Sequence, residues 1–167
     1  NQFLLKLDLK PEEINLKEFW PKGGPHWDAL GVSKSEPKSR YLVEAKSHIQ
    51  EMLSPPSKAS EASLEIIKNS LGDTKTFCKA NEDVLWHRRC YQYFNRLAHL
   101  KFLRFDKAVD AYMVFLYFVN DDTIEETSFQ KWKGALEFFK SYTGLNESPL
   151  TKYTVDVFID VNEIRGQ

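Results

Sequence analysis

The chain has little that would tie it together covalently or hold it against a charged or oily surface. Only two of its 167 residues are cysteine, Cys78 and Cys90, and no Cys-x-x-Cys pair occurs. That leaves no disulfide framework and fits a reducing, cytoplasmic setting. Net charge is equally scarce: 23 Lys and Arg against 24 Asp and Glu give a formal −1. No bulk cationic field grips nucleic acid, so any polyanion site has to be local. The longest apolar run, 111–119, is far too short to span a bilayer, and no basic stretch leads into an apolar one at the N-terminus, so no membrane partner is expected. Asn1 stands where a methionine would open a gene product, which raises the expectation of native sequence ahead of it. Internal repeats and low-complexity tracts are missing too, and SPPSKAS around Pro55 and Pro56 is the one linker-like segment.

What is present suits one packed domain over 1–167, with 42% hydrophobic and 14% aromatic residues. Pro11-Glu12-Glu13 reads as a helix start, with proline in the first turn and acids favoured by the helix dipole, and Trp20-Pro21 ends that segment. Two strands, 26–32 and 40–46, are joined by SKSEPKS and should pair antiparallel. A helix follows Ser57 as far as Leu71, with Gly72 as its left-handed cap, and a longer one covers 84–104. AYMVFLYFV is continuously apolar, as a strand buried on both faces under covering helices would be. After a helix over 129–142, TVDVFIDV alternates Val155, Val157, Ile159 and Val161 with polar residues, as a one-sided edge strand does. Asp156 and Asp160 are then expected to point outward and discourage edge pairing.

Within GGPHWDALGVSKSEPKSRYLVEAKSH, charges interrupt apolar runs at Asp28 and Glu44, and aspartate is disfavoured in strands. Side chains two apart share a strand face, so Glu44 and Lys46 project together, as do His26 and Asp28. Paired strands would bring Asp28 to Glu44, giving two carboxylates beside an ammonium. Mg2+ (or Mn2+) takes hard oxygen ligands and keeps several waters, so Asp28, Glu44 and the backbone carbonyl of Ala45 suffice as protein ligands. Lys46 would orient the attacking water and offset charge on a phosphoryl centre. The plainer reading is a solvated strand end carrying an ordinary Glu-x-Lys.

GPHWDALG followed by YLVEAK resembles the PD-(D/E)xK phosphodiesterase superfamily, with Asp28 and Glu44 matching its metal-binding acids and Lys46 its active-site lysine. The resemblance covers most of the chain and departs in one respect: Pro25, not the residue next to Asp28, is the nearby proline. It implies the restriction-endonuclease-like α/β fold, a mixed sheet of about four strands with helices on both sides. It also implies metal-dependent hydrolysis of nucleic-acid phosphodiesters, DNA ahead of RNA.

WHRRCYQYFNRLAHLKFLR bears on the same reading. At 100° per residue, Arg88, Arg89, Gln92, Asn95, Arg96 and His99 fall on one stripe, which reads as facing solvent or substrate. Gln92 is then a catalytic-site group, and Arg96, Arg88 and Asn95 are substrate contacts. Some nuclease branches of the superfamily carry Gln-x-x-x-Tyr on such a helix; Gln92 is similar, but Arg96 stands where the tyrosine would be. Glu18 could add a third acid, and His26 a ligand or water-orienting group, although each is more simply a surface residue. Trp20, Trp27, Trp86 and Trp132 read as packing, with Trp20 and Trp27 near enough to the site to stack on a base. Two other functions stay open: a catalytically silent nuclease-fold module that binds nucleic acid or a protein, and a phosphodiesterase acting on a small nucleotide in a closed pocket.

Overall fold

A computed structural model describes residues 2–166. Four strands, β1 (Ala29–Val32), β2 (Arg40–Lys46), β3 (Ala111–Val119) and β4 (Thr154–Asp160), form one open mixed sheet in the order β1-β2-β3-β4. β1 and β2 pair antiparallel, while β2–β3 and β3–β4 are parallel. The helices are α1 (Gln2–Lys6), α2 (Pro11–Ile14), α3 (Leu16–Phe19), α4 (Glu61–Cys78), α5 (Tyr91–Lys101), α6 (Phe129–Thr143) and α7 (Val161–Arg165). The expected α/β class with a four-stranded mixed sheet flanked by helices is therefore present, but the helices expected on both sides cover one face. The single leading helix is instead three short ones.

Local chemistry explains where the long helices begin and end. The Ser60 hydroxyl accepts from the Ser63 amide to start α4, which runs straight through Gly72 and stops where Lys79 turns left-handed at φ 53. Gly72 is thus a mid-helix residue and not a cap. α5 begins later than its pattern suggests because Cys90 takes φ 57, a conformation no helix continues through, and 84–90 form turns. Beyond Lys101 the helix widens into a π turn, Phe102–Asp106. α6 starts on the Ser128 hydroxyl and ends at Gly144, φ 72, where an added Cβ would lie 2.8 Å from the Asn81 nitrogen.

Strand order dictates which side of the sheet is covered. When parallel strands follow one another across a sheet without reversal, right-handed crossovers place every connecting helix on the same face. The contacts agree. Tyr93 of α5 stacks on Phe115 of β3 at 4.3 Å, Trp132 of α6 packs on Tyr117 at 4.7 Å, and Phe139 of α6 meets Tyr93 edge-on at 4.7 Å. Leu42, Met113, Phe115 and Tyr117 are buried on this face. The opposite face carries Tyr41, Val43 and Ala45 of β2, Tyr112, Val114, Leu116 and Phe118 of β3, and Val155, Val157 and Ile159 of β4, all half-buried or exposed. None of them is among the apolar side chains packed into the core.

Two expectations change accordingly. β3 is not buried on both faces; its burial alternates residue by residue. β4 is an edge strand with its polarity inverted: Asp156 turns toward α6 and pairs with Lys140, while Asp160 accepts from the Asn120 side chain at 2.8 Å and from the Asn162 amide at 2.9 Å. Val155, Val157 and Ile159 are the ones that face out, while Phe158 faces in, against Tyr117 and Phe129.

Candidate functional site

Register assembles the residues that the sequence singles out. Ala29 pairs with Val43, so the next position outward sets Asp28 opposite Glu44, just before β1 begins. Asp28 is exposed, and its Oδ2 accepts from the Ala45 amide at 2.7 Å, taking the place of the missing strand partner. On a strand the N–H and C=O of one residue point to the same side, so the Ala45 carbonyl also turns toward Asp28. Glu44 and Lys46 project together onto the helix-covered face, with Lys46 Nζ 2.5 Å from Glu44 Oε1.

Glu44 is only 2% exposed, and a second cation meets it from α5. Arg96, also 2% exposed, sets Nε at 2.7 Å and Nη2 at 2.6 Å from Glu44 Oε2. Its other donors go to the Asn95 side-chain oxygen at 2.7 Å and the His26 carbonyl at 2.7 Å, and its guanidinium lies 4.6 Å from the Trp27 ring centroid. Burial pulls the Arg96 pKa below its usual value, while Glu44 and Asp28 pull it back up. With Asp28 and Glu44 ionised, Lys46 and Arg96 balance the cluster charge for charge. This overturns the solvent-facing stripe: Asn95, Arg96 and His99 are buried, and Arg96 spends its donors inside the protein.

His99 occupies an aromatic box of Phe3, Phe19, Trp20 and Trp27, with centroids 4.6 to 5.9 Å away. Desolvation drives its pKa down to about 3, so the ring is neutral, with Nδ1 2.8 Å from the Asn95 carbonyl. Arg88 and Arg89 are exposed in the turn before α5, and Arg88 lines neither cavity described below. Glu18 is exposed on α3, the His26 side chain is exposed, Trp20, Trp86 and Trp132 are buried, and Trp27 is half-buried beneath Arg96.

Two spaces meet at Gln92, whose amide donates to the Ser54 hydroxyl at 2.8 Å. A groove of about 620 Å³ runs between residues 20–26, residues 54–60 and the start of α5; Lys22, Lys58, Tyr91, Gln92, Asn95 and Arg96 line it, and no acidic residue does. On the other side of Gln92 is a nook of about 10 Å³ bounded by Glu44, Lys46, Glu51, Gln92 and Tyr117, room for about one water. The buried Tyr117 hydroxyl has no hydrogen-bond partner among the described residues. Sequence reading missed both Tyr117 and Glu51. Tyr117 is the β3 residue paired with Lys46, so only the β2–β3 register could have revealed it.

The donor set can be tested against a hard cation. A carboxylate offers about four acceptor positions. Arg96 Nε fills one on Glu44 Oε2, with Nη2 close by at 2.6 Å, and Lys46 fills one on Oε1, which leaves a position on Oε1. The second oxygen of Asp28 takes no partner among the described residues, and the Ala45 carbonyl faces the same edge. Oxygens of these three kinds are the hard donors that Mg2+ or Mn2+ takes, with water completing a shell. Among the described residues no group of three or more His, Cys, Asp and Glu side chains is placed to hold a metal. No helix among the described residues is long and apolar enough to cross a membrane. Compared with known proteins, the chain matches no family model, no curated protein and no solved structure.

Proposed function

We propose that the domain hydrolyses nucleic-acid phosphodiester bonds, DNA ahead of RNA, with one Mg2+ or Mn2+ held by Asp28, Glu44 and the Ala45 carbonyl, in the manner of the restriction-endonuclease-like nucleases that its Asp28, Glu44 and Lys46 resemble. One placement carries it: Asp28 is anchored on the Ala45 amide directly opposite Glu44, with Lys46 Nζ on that same carboxylate. When bound, the ion supplies Lewis acidity and a water of lowered pKa. Each residue then has a physical task. The Ala45 amide fixes one Asp28 oxygen and so directs the other. Arg96 holds Glu44 in one orientation. Lys46 orients the water and offsets negative charge that grows on the phosphoryl oxygens. Gln92 stands where groove and nook meet. The acid-free groove answers the requirement for a local polyanion site in a chain of balanced charge, with Lys22 and Lys58 for phosphates and Tyr91 for a base.

A second reading is favoured by one observation, the commitment of both Glu44 oxygens to protein cations. It makes the domain a nucleic-acid-binding module without turnover. Labelled single-stranded, duplex and branched DNA, incubated with and without Mg2+ or Mn2+, separates the two. Hydrolysis requires metal-dependent cleavage that falls by about 10²-fold or more in Asp28→Asn and in Lys46→Ala. Binding without cleavage at any metal concentration sinks the hydrolase reading and leaves the module.

A further inference from the structure

Residues 20–26 wall off a second space from the acid-free groove, since Trp20, Lys22 and His26 line both. This pocket has a volume of about 570 Å³, within the roughly 300–1,000 Å³ of small-molecule sites. Phe3 of α1, Trp20 and His99 of α5 give it aromatic walls, Lys17 of α3 and Lys22 give it positive charge, and no acidic residue among those described lines it. One wall residue is unfinished. His99 is 1% exposed, and its Nε2 has no hydrogen-bond partner among the described residues. Nδ1 lies against the Asn95 carbonyl, an oxygen that only accepts, so in the neutral ring Nδ1 carries the proton and Nε2 keeps an unshared lone pair. The rings of Phe3, Phe19, Trp20 and Trp27 pack around His99 without donating to it. A buried acceptor left this way keeps its desolvation cost until a donor reaches it.

We propose that this pocket binds a nucleotide, either free or as an unpaired nucleotide of a strand lying in the groove, with its base against Phe3 and Trp20, a base N–H donating to His99 Nε2, and its phosphate on Lys17 and Lys22. Each part of that ligand answers a different wall. A flat ring stacks on aromatic side chains whatever its identity. An N–H on the ring edge supplies the donor that His99 lacks. A phosphate meets two exposed ammonium groups and no carboxylate. A purely apolar ligand would leave Nε2 unsatisfied, and a cation would meet only Lys17 and Lys22. Because 20–26 is the common wall, an unpaired base of a strand in the groove has only that segment to cross. A base inside a duplex is stacked and paired, so it cannot enter without being flipped out. Only the strand as source rests on the nucleic-acid reading of the groove. Asp28, Glu44 and Lys46 do not line the pocket, so it binds whether or not the domain cleaves anything.

Titration calorimetry of the whole chain without metal tests it, using AMP, CMP, GMP and UMP and a short single-stranded oligonucleotide as probes. Binding with a Kd below about 1 mM is expected. His99→Phe keeps a ring in the aromatic box and removes the lone pair, and should weaken that binding by about tenfold. Lys17→Ala changes an exposed side chain that lines the pocket and not the groove, and should weaken it by about threefold with an unchanged circular dichroism spectrum. An oligonucleotide that binds more tightly than the mononucleotides and is sensitive to both variants identifies the strand as the source; tighter mononucleotides identify the free nucleotide. No binding by any probe at about 1 mM overturns the proposal, as does binding indifferent to both variants. A mononucleotide weakened by Lys58→Ala, in the wall of the groove alone, instead of by Lys17→Ala would seat it in the groove and overturn the proposal too.

Discussion

The two faces of the sheet differ in where they keep charge. The helix-covered face sets Glu44, Lys46 and Asp156, each meeting an opposite charge, among Leu42, Met113, Phe115 and Tyr117, while the strand positions of the open face hold valine, isoleucine, leucine, alanine and aromatic rings. A buried charge persists only where partners neutralise it, so the covered face is a designed arrangement whose cost is met by Arg96, Lys46 and Lys140. An apolar face turned to water is unfavourable in the monomer and becomes favourable once something covers it. One face is finished within the chain; the other is left open.

The sharpest way to break this contrast is to remove the same group from each face. Phe115→Ala, on the covered face, should cost about 3–5 kcal/mol in urea unfolding, because a cavity opens beneath Tyr93. Phe118→Ala, on the open face, should cost about half as much or less in dilute monomer, since its half-buried side chain leaves no enclosed cavity. Equal losses would mean that the open face is packed after all.

Next in size is the charge cluster. Glu44→Leu and Arg96→Met should each lose about 3 kcal/mol by leaving a buried charge unpaired, while the double variant Glu44→Leu/Arg96→Met should regain most of it. Additive losses would show that the pair is not a unit. A smaller effect is tied to pH. His99 has a folded pKa of about 3, below its unfolded value near 6.5, so the unfolded chain binds the proton first as pH falls. Its contribution is whole above about pH 6.5 and shrinks as pH drops toward 3, by about 2 kcal/mol at pH 5. His99→Phe should flatten the pH dependence of unfolding by that amount, and an unchanged slope would assign acid lability to other groups. The smallest expected change is Asp156→Asn, under about 1 kcal/mol, because the pair with Lys140 is partly solvated.

How much of this was legible beforehand depended on whether a residue's neighbours were near in sequence. The bounds of β2 and β3, the antiparallel hairpin and the span of α6 follow from local pattern, and local alternation also placed Glu44 and Lys46 on one face. Alternation gives the two faces of a strand but not which one lies inside. For β4 that choice belongs to Lys140, which no pattern within the strand can see, so Asp156 and Asp160 were expected on the wrong side. The same limit governs α5. A stripe of Gln92, Asn95, Arg96 and His99 looks wet because its residues are polar, yet Glu44 and an aromatic box assembled from Phe3, Phe19, Trp20 and Trp27 bury three of the four. The late start of α5 at Tyr91 was illegible for another reason, the left-handed Cys90, a conformation that its residue type does not advertise.

Strand order also sets a sequence of events in time. The crossover 120–153 that joins β3 to β4 is about half as long as the crossover 47–110 that joins β2 to β3, so the C-terminal β3–α6–β4 unit assembles from nearer contacts and is favoured to form first. Docking of β2 against β3 then closes the longer loop and, in the same step, brings Glu44 to Arg96 and Asp28 to the Ala45 amide. The candidate site has no existence in either half of the chain alone; it is the seam along which a late-arriving hairpin joins an earlier-formed scaffold, and it comes apart first when that seam opens.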